Sequence, residues 1–259
     1  MGDAPHHDRA RTRSELEALH TPEAIRDRLA AGPGNSYLRD MVFGALDGTV
    51  TTFAVVAGVA GAGLAPPVVV ILGMANLLAD GFSMAVGNLL GLRAERQRVA
   101  RMREMEAHHI ETVPEGEREE LRHIFGSLGL EGDVLERVVD IVSQDRERWI
   151  DVMLQAEFGV PTALPSPWRA GAATFGAFAV AGALPLLPFL LQVVAGTKMD
   201  KPFLWGTALT GVAFFLIGAA KGRVVGRAWG VSGLETLGVG AVAAALAYAV
   251  GALLGSFAV

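Results

Sequence analysis

The sequence predicts an all-α integral membrane protein with five transmembrane helices and a cytoplasmic three-helix insert between spans two and three. Two observations predict this class. Hydrophobic residues make up 51% of the 259 residues and charged residues only 19%. The charges are also segregated, because 26 of them lie between Arg93 and Trp168 and only 10 lie outside that block and the first 40 residues. The apolar stretches left between them exceed the ~18 residues that indicate a membrane span.

Five apolar segments have about the length needed to cross a bilayer, which is ~20 residues of helix. Each is continuously apolar rather than alternating, and this favours helices over a β-barrel. Pro66 and Pro67 mark the turn between the first two segments, and Pro185 and Pro188 predict kinks in the third. The segments cover about 41–64, 68–92, 169–198, 202–220 and 237–259.

Lys and Arg counts predict the orientation. The regions 1–40, 93–169 and 221–227 would share one side and carry 20 Lys and Arg residues, whereas the other side carries two. The positive-inside rule therefore places the N-terminal segment 1–40 and the domain 93–168 in the cytoplasm, between membrane segments 41–92 and 169–259. The Ala, Gly and Arg content favours a bacterial cytoplasmic membrane, although a vacuolar-type membrane also fits.

The first 40 residues are polar and do not read as a signal peptide. Thr21 and Pro22 predict a helix start, and Gly32 predicts its end. An amphipathic helix on the cytoplasmic face and a loosely ordered tail are both compatible with this stretch.

Composition excludes several other classes. Cysteine is absent, which excludes a disulfide scaffold, thiol chemistry and a Cys-ligated metal site. The net charge is -5, and no basic stripe indicates a nucleic-acid partner.

Small residues recur four positions apart within the spans, and this spacing allows close helix contact in lipid. Packing within one chain and packing between two copies both explain the pattern. The pairs are Gly44 with Gly48, Gly222 with Gly226, and Gly251 with Gly255.

Carboxylates within the spans indicate an ion pathway, because burying one in a membrane costs about 2.5–3.5 kcal/mol on the insertion scale. Asp47 is the acid of span one, although it could instead reach the headgroups. In span two, polar or thioether side chains recur every four residues and so lie on one slowly drifting helix face. A thioether among oxygen donors favours a borderline transition metal over a hard ion. The members of this stripe are Asn76, Asp80, Met84 and Asn88.

The charged block predicts three amphipathic helices, at about 93–112, 114–126 and 133–158. Their faces would bring together carboxylates, thioethers and an imidazole, a donor mixture that suits Fe²⁺, Mn²⁺ or Zn²⁺. A solvated face of i, i+4 ion pairs is the alternative interpretation. The candidate ligands are Met102, Met105, Glu106 and His109 on the first helix, Glu117 and Glu120 with Glu119 and His123 beside them on the second, and Met153 and Glu157 on the third.

Glu120 and His123 also match the Glu-x-x-His pair of di-iron helical bundles. A bundle site needs a second copy of this pair, and the sequence has none. We therefore expect no ferroxidase and no other enzyme activity.

Three motifs resemble the vacuolar iron transporter family, which includes the yeast cross-complementer-of-calcium-sensitivity proteins and plant nodulin-like proteins. They are LDGTVTTFAVVAG in span one, ANLLADGFSMAVG in span two and PEGEREEL in the insert. The similarity extends from about Tyr37 to the C-terminus. It implies a homodimer that exchanges cytosolic Fe²⁺, often also Mn²⁺, for protons.

The resemblance also implies roles for single residues. It assigns Asp47 and Met84 to the translocation path. His109 stands where the family commonly has a glutamate, Asn88 where it often has one, and Asn76 where some members have an acid. It assigns Glu106, Glu117, Glu120, Met153 and Glu157 to the cytoplasmic metal-binding face.

The leading hypothesis is a divalent metal/proton antiporter for Fe²⁺, with Mn²⁺ or Zn²⁺ as further ions, that carries metal out of the cytosol and has no prosthetic group. A membrane-anchored metal sensor or storage module without transport is the alternative. Metal ions, membrane lipid and a second copy of the chain are the expected partners.

Overall fold

A computed structural model describes residues 12–31, 37–161, 164–197 and 199–258. All regular elements in these ranges are α-helices. They are α1 (Arg13–Leu19), α2 (Pro22–Ala31), α3 (Leu38–Gly61), α4 (Pro66–Thr112), α5 (Pro114–Ser127), α6 (Gly132–Ser143), α7 (Arg146–Ala156), α8 (Pro167–Ala183), α9 (Leu187–Val194), α10 (Pro202–Val225) and α11 (Trp229–Ala258).

The apolar helices confirm the predicted all-α membrane fold. Helices α3, α4, α10 and α11 are each long and apolar enough to cross a bilayer. Helices α8 and α9 meet at 68° and together make the fifth candidate span. Their break falls between Ala183 and Leu187, with Pro188 in the first turn of α9, where the prolines predicted a kink. The last span begins earlier than predicted, at Trp229, and its Glu235 pairs with Arg227 at 3.3 Å.

The chain forms two compact units. The first, the membrane unit, comprises Met1–Leu89 and Ser166–Val259. The second, the insert unit, comprises Leu90–Pro165.

Helix α3 packs against α8, α10 and α11 in the membrane unit. Glycines allow the close approach, because a β-carbon at Gly44 or Gly48 would collide with the α8 backbone at Thr174 or Phe178. Gly251 is packed in the same way against Gly58. Packing within the chain therefore accounts for these glycines.

The third glycine pair has two separate roles. Gly222 packs against Trp229 and Ser232. Gly226 ends α10 with φ 72°, a left-handed conformation that favours glycine. The pair at 222 and 226 is therefore a packing site followed by a helix C-cap.

The insert unit contains the end of α4 followed by α5, α6 and α7. The predicted helix 93–112 is the continuation of α4. The predicted single helix 133–158 was wrong, because it divides into α6 and α7. The Asp145 side chain accepts a hydrogen bond from the Arg148 N–H at 3.2 Å and so starts a new helix. Buried Leu121, Val139, Ile150 and Met153 lie in the core of the unit.

The N-terminal residues include a helix that the sequence analysis missed. The predicted start of α2 at Pro22 is confirmed, and Thr21 Oγ1 accepts a hydrogen bond from the Ala24 N–H at 3.3 Å. Helix α1 precedes it and begins with a reciprocal capping box between Thr12 and Glu15. The predicted helix end at Gly32 lies outside the described residues.

Candidate metal centre and acidic residues of the spans

Two buried glutamates mark the strongest candidate site in the insert unit. Glu106 on α4 is 1% exposed, and Glu117 in the first turn of α5 is 5% exposed. The Oε2 atom of each is buried and has no hydrogen-bond partner among the described residues. A buried polar atom without a partner costs about 1–3 kcal/mol, and a charged one costs more. A bound cation would satisfy both oxygens.

His109 supplies a third donor beside the two glutamates. It follows Glu106 by three residues on α4, so the two side chains lie on one helix face. Its Nδ1 lies 3.5 Å from Glu117 Oε1. One ligand atom from each of the three residues lies within 4.8 Å of the other two. This arrangement can hold one metal ion.

A one-residue connection brings the two helices of the site together. The Val113 N–H donates to the His109 carbonyl at 2.8 Å, and the Val113 carbonyl accepts from the Glu117 N–H at 3.2 Å. Pro114 then starts α5, because its fixed φ suits the first helical turn. The backbone thus ties the metal-binding turn of α4 to the first turn of α5.

Four carboxylates in this region repel one another. Burial, followed by the charges of Glu117 and Glu157, raises the pKa of Glu106 to about 7, and His109 opposes this rise. Burial and then the charge of Glu120 raise the pKa values of Glu117 and Glu157. Glu120 and Glu157 are exposed. A cation would relieve the repulsion, so the cluster has the electrostatics of a cation site.

The candidate thioethers have different surroundings. Met153 is fully buried in the insert core, and Glu157 follows it by one turn, with its N–H bonded to the Met153 carbonyl at 2.9 Å. Met102 is partly buried against the same core. Met105 is 39% exposed, in contrast to its buried neighbour Glu106.

His123 does not join the buried cluster. Its side chain is 82% exposed, and its Nε2 lies 3.7 Å from Glu119 Oε1. The predicted Glu120–His123 pair is therefore a part of the exposed surface of α5.

Arginines that the sequence analysis did not single out connect α4 with α7. Arg103 pairs with Glu147 and Asp151, each at 2.8 Å. Arg146 pairs with Glu111 at 2.6 Å. Since α4 carries Glu106 and α7 carries Met153, these ion pairs hold two candidate ligand helices together. In the sequence alone, these arginines could not be told from those of an ordinary solvated helix face.

In the membrane unit, Asp47 is half-buried on α3 and Asp80 is exposed on α4. Asp80 is close enough to act electrostatically on Asp47. Met84, one turn beyond Asp80, is partly buried against the core of the unit. The Nδ2 atom of Asn76 is buried and has no hydrogen-bond partner in the described ranges. Of the stripe predicted on span two, Asp80 is thus the member that lies near the acid of span one.

Asn88 takes part in a polar link that the sequence did not reveal. Its Nδ2 donates to the Asp40 carboxylate at 3.0 Å and to the Thr174 hydroxyl at 2.8 Å. Asp40 lies in the first turn of α3, and its only sequence signal was an acid next to the apolar run of span one.

Comparison with known proteins identifies the family. The model of the VIT family matches residues 38–252. A vacuolar iron transporter of Toxoplasma gondii is 34% identical over 85% of this chain and 75% of its own length. Vacuolar iron transporter 1 of Arabidopsis thaliana is 33% identical over 82% of this chain and 83% of its own length. Vacuolar iron transporter 2 of Oryza sativa subsp. japonica is 30% identical over 90% of this chain and 93% of its own length. The protein that carries the Glu106–His109–Glu117 cluster therefore belongs to the VIT family.

Proposed function

We propose that the protein is a divalent metal/proton antiporter that moves Fe²⁺, and also Mn²⁺ or Zn²⁺, out of the cytosol for iron homeostasis and detoxification. The observation that carries this proposal is the pair of buried, unpartnered carboxylate oxygens of Glu106 and Glu117 beside His109. The names of the relatives, vacuolar iron transporters over most of the chain, support iron as the cargo.

The insert captures metal from the cytosol in this proposal. Residues 93–168 and the N-terminus face the cytosol because 20 of the 22 Lys and Arg residues would then lie on that side. A bacterial cytoplasmic membrane is the proposed location. The proposed ligands are Glu106, His109, Glu117, Glu120, Met153 and Glu157.

Asp47 exchanges metal for protons in the spans. A carboxylate binds a metal ion in its deprotonated form, so protonation from the far side of the membrane would release the ion. Met84 adds a soft sulfur donor, which suits Fe²⁺ better than a hard ion. The nearby Asp80 raises the negative charge that attracts a divalent cation.

A homodimer completes the proposed path. Asp80 is exposed on α4, within a stretch that has no other charged residue. Charged residues in membranes face a protein interior or a water-filled cavity rather than lipid. A second copy packed on this face of α4 would remove Asp80 from lipid and place it along a shared path.

Proteoliposomes test the transport proposal. An imposed pH gradient should drive Fe²⁺ across the bilayer, and an opposing proton flux should accompany it. Asp47→Asn should abolish both fluxes, whereas the control Asp200→Asn, at an exposed acid outside the helices, should transport normally. Normal transport by the Asp47 variant would rule out Asp47 as the shared site.

The same assay distinguishes the alternative function. Fe²⁺ bound by the wild-type protein without flux across the bilayer would favour a membrane-anchored sensor or storage module. Flux of Fe²⁺ without proton movement would instead indicate a passive channel.

A further inference from the structure

His109, whose side chain is 45% exposed, differs chemically from the two buried glutamates beside it. Glu106 and Glu117 offer hard, anionic oxygens, whereas the imidazole offers a neutral nitrogen. Imidazole suits Zn²⁺, Fe²⁺, Co²⁺ and Ni²⁺, while carboxylate oxygens suit Mg²⁺, Ca²⁺ and Mn²⁺. The identity of the side chain at position 109 therefore bears on which divalent ion the site prefers.

The position of the imidazole suits a shared ion better than a hydrogen bond. The Nδ1–Oε1 distance between His109 and Glu117 is 3.5 Å, longer than the 2.7–3.2 Å of a typical N–H···O bond. Two ligands of a tetrahedral metal, each about 2.1 Å from the ion, lie about 3.4 Å apart. The buried Oε2 atoms of Glu106 and Glu117 have no partner among the described residues and are available to the same ion.

Charge balance supports the same donor set. In the three-residue group of Glu106, His109 and Glu117, two ionised carboxylates and a neutral imidazole carry two negative charges, which equals the charge of one divalent cation. The exposed Glu120 and Glu157 add further negative charge beside this group. A third carboxylate at position 109 would add repulsion to a cluster in which Glu120 and Glu157 already act on the buried glutamates. The imidazole adds a ligand without adding negative charge.

We propose that His109 is the selectivity residue of the insert site and shifts its preference towards borderline ions such as Fe²⁺ and Zn²⁺ over the harder Mn²⁺. This inference rests on the proposed metal-binding function of the insert. It concerns the relative affinities of the ions, which the transport proposal leaves open.

Calorimetric titration of the full-length protein in detergent tests it, with ZnCl₂ and MnCl₂ as separate titrants. His109→Glu should lower the ratio of the Mn²⁺ to the Zn²⁺ dissociation constant by about tenfold or more. His109→Gln, whose amide nitrogen has no free lone pair to coordinate a metal, should weaken Zn²⁺ binding more than Mn²⁺ binding. The matched control is His108→Glu, since His108 is the exposed neighbour on α4 and lies outside the cluster.

Proton NMR spectroscopy detects directly whether an imidazole coordinates the metal ion. Co²⁺-loaded protein should give a paramagnetically shifted imidazole N–H proton signal that His109→Gln removes and His108→Gln retains. Retention of the signal in the His109 variant would overturn the proposal.

The remaining outcomes separate this inference from the proposed function. If Glu106→Gln weakens metal binding but His109→Glu leaves the Mn²⁺ to Zn²⁺ ratio unchanged, His109 does not set selectivity, and the insert still binds metal. If Glu106→Gln and Glu117→Gln bind Zn²⁺ as the wild type does, the insert site itself is refuted, and the selectivity role of His109 with it.

Discussion

The side-chain amide of Asn88 donates a hydrogen bond of 3.0 Å to the carboxylate of Asp40. The same nitrogen donates to the Thr174 hydroxyl at 2.8 Å, so one side chain of α4 links α3 and α8. An amide can donate to a carboxylate without bringing a second negative charge. Asn88 thus stabilises an acid at the edge of the helix bundle.

Asn88→Asp should destabilise the membrane unit. It would place two carboxylates about 3 Å apart and remove both amide hydrogen bonds. The free energy of unfolding should therefore fall by about 1–3 kcal/mol. The melting temperature of the protein in detergent should fall. Size-exclusion chromatography of heated samples measures it. The exchanged pair Asp40→Asn with Asn88→Asp restores one carboxylate and one amide and should recover much of the loss. An Asn88→Asp variant as stable as the wild type would mean that the bond contributes nothing.

Gly48→Ala should disrupt the packing of α3 on α8. A β-carbon at this position would collide with the Phe178 backbone, which cannot move aside as a side chain can. Overpacking of this kind costs about 1–3 kcal/mol or more. We expect a lower yield of monodisperse protein and a lower melting temperature.

Gly176→Ala is the matched control for this substitution. A β-carbon at Gly176 of α8 meets no atom within 4 Å, so the variant should behave as the wild type does. Equal stability of the two alanine variants would show that the close contact at Gly48 is not needed for folding.

The distribution of charge was sufficient to predict the membrane fold, because a buried polar group is costly in lipid and long apolar runs therefore identify spans. Local signals were less reliable in the insert. In the predicted helix 133–158, Val142 and Trp149 are seven residues apart, so the apolar positions stay in phase across the polar run 143–148 and conceal the break. The Asp145 cap that causes the break is a short-range hydrogen bond with an ambiguous sequence signal.

The candidate ligands could be predicted as faces of separate helices, but their meeting could not. Glu117 lies beside His109 because of the one-residue turn at Val113, whose geometry no periodicity reveals. The bond between Asn88 and Asp40 joins residues 48 positions apart and depends on the packing of three helices. Which helices pack together is a property of the tertiary structure, and a single sequence carries little direct signal of it.

Ser83→Cys should give a covalent dimer in membranes treated with a short bis-maleimide. Ser83 is exposed on α4 and follows Asp80 by three residues, so it lies on the face that we propose to contact a second copy. The chain has no cysteine, and the introduced thiol is therefore the only reactive one. Gel electrophoresis under reducing conditions measures the product, because the maleimide bond is stable to reduction.

The control for the dimer face is Val242→Cys on α11. Val242 is 62% exposed and lies on a different span, so this variant should remain monomeric on the gel. Cross-linking of Val242→Cys in preference to Ser83→Cys would move the interface to α11.

Glu106→Gln should stabilise the metal-free insert at pH 8. The pKa of Glu106 is raised from 4.5 to about 7 in the folded protein, so folding is favoured when this carboxyl is protonated. The resulting stability is fully present below about pH 4.5 and is lost as the pH rises through about 7. A shift of this size corresponds to roughly 3 kcal/mol. The neutral amide of glutamine removes this pH-dependent loss.

Hydrogen–deuterium exchange of peptides from α5 and α7 measures this effect locally, in the presence of a chelator at pH 5.5 and pH 8 after correction for intrinsic rates. The wild type should open more readily at pH 8 than at pH 5.5, and Glu106→Gln should show a smaller difference. Glu104→Gln, at an exposed position on the same helix, should match the wild type.

Addition of Zn²⁺ should protect the wild type at pH 8 but not the Glu106 variant, because the ion stabilises the ionised carboxylate that destabilises the metal-free fold. Equal protection of both proteins by Zn²⁺ would contradict a metal role for Glu106, since the same buried charge is required for the pH effect and for binding.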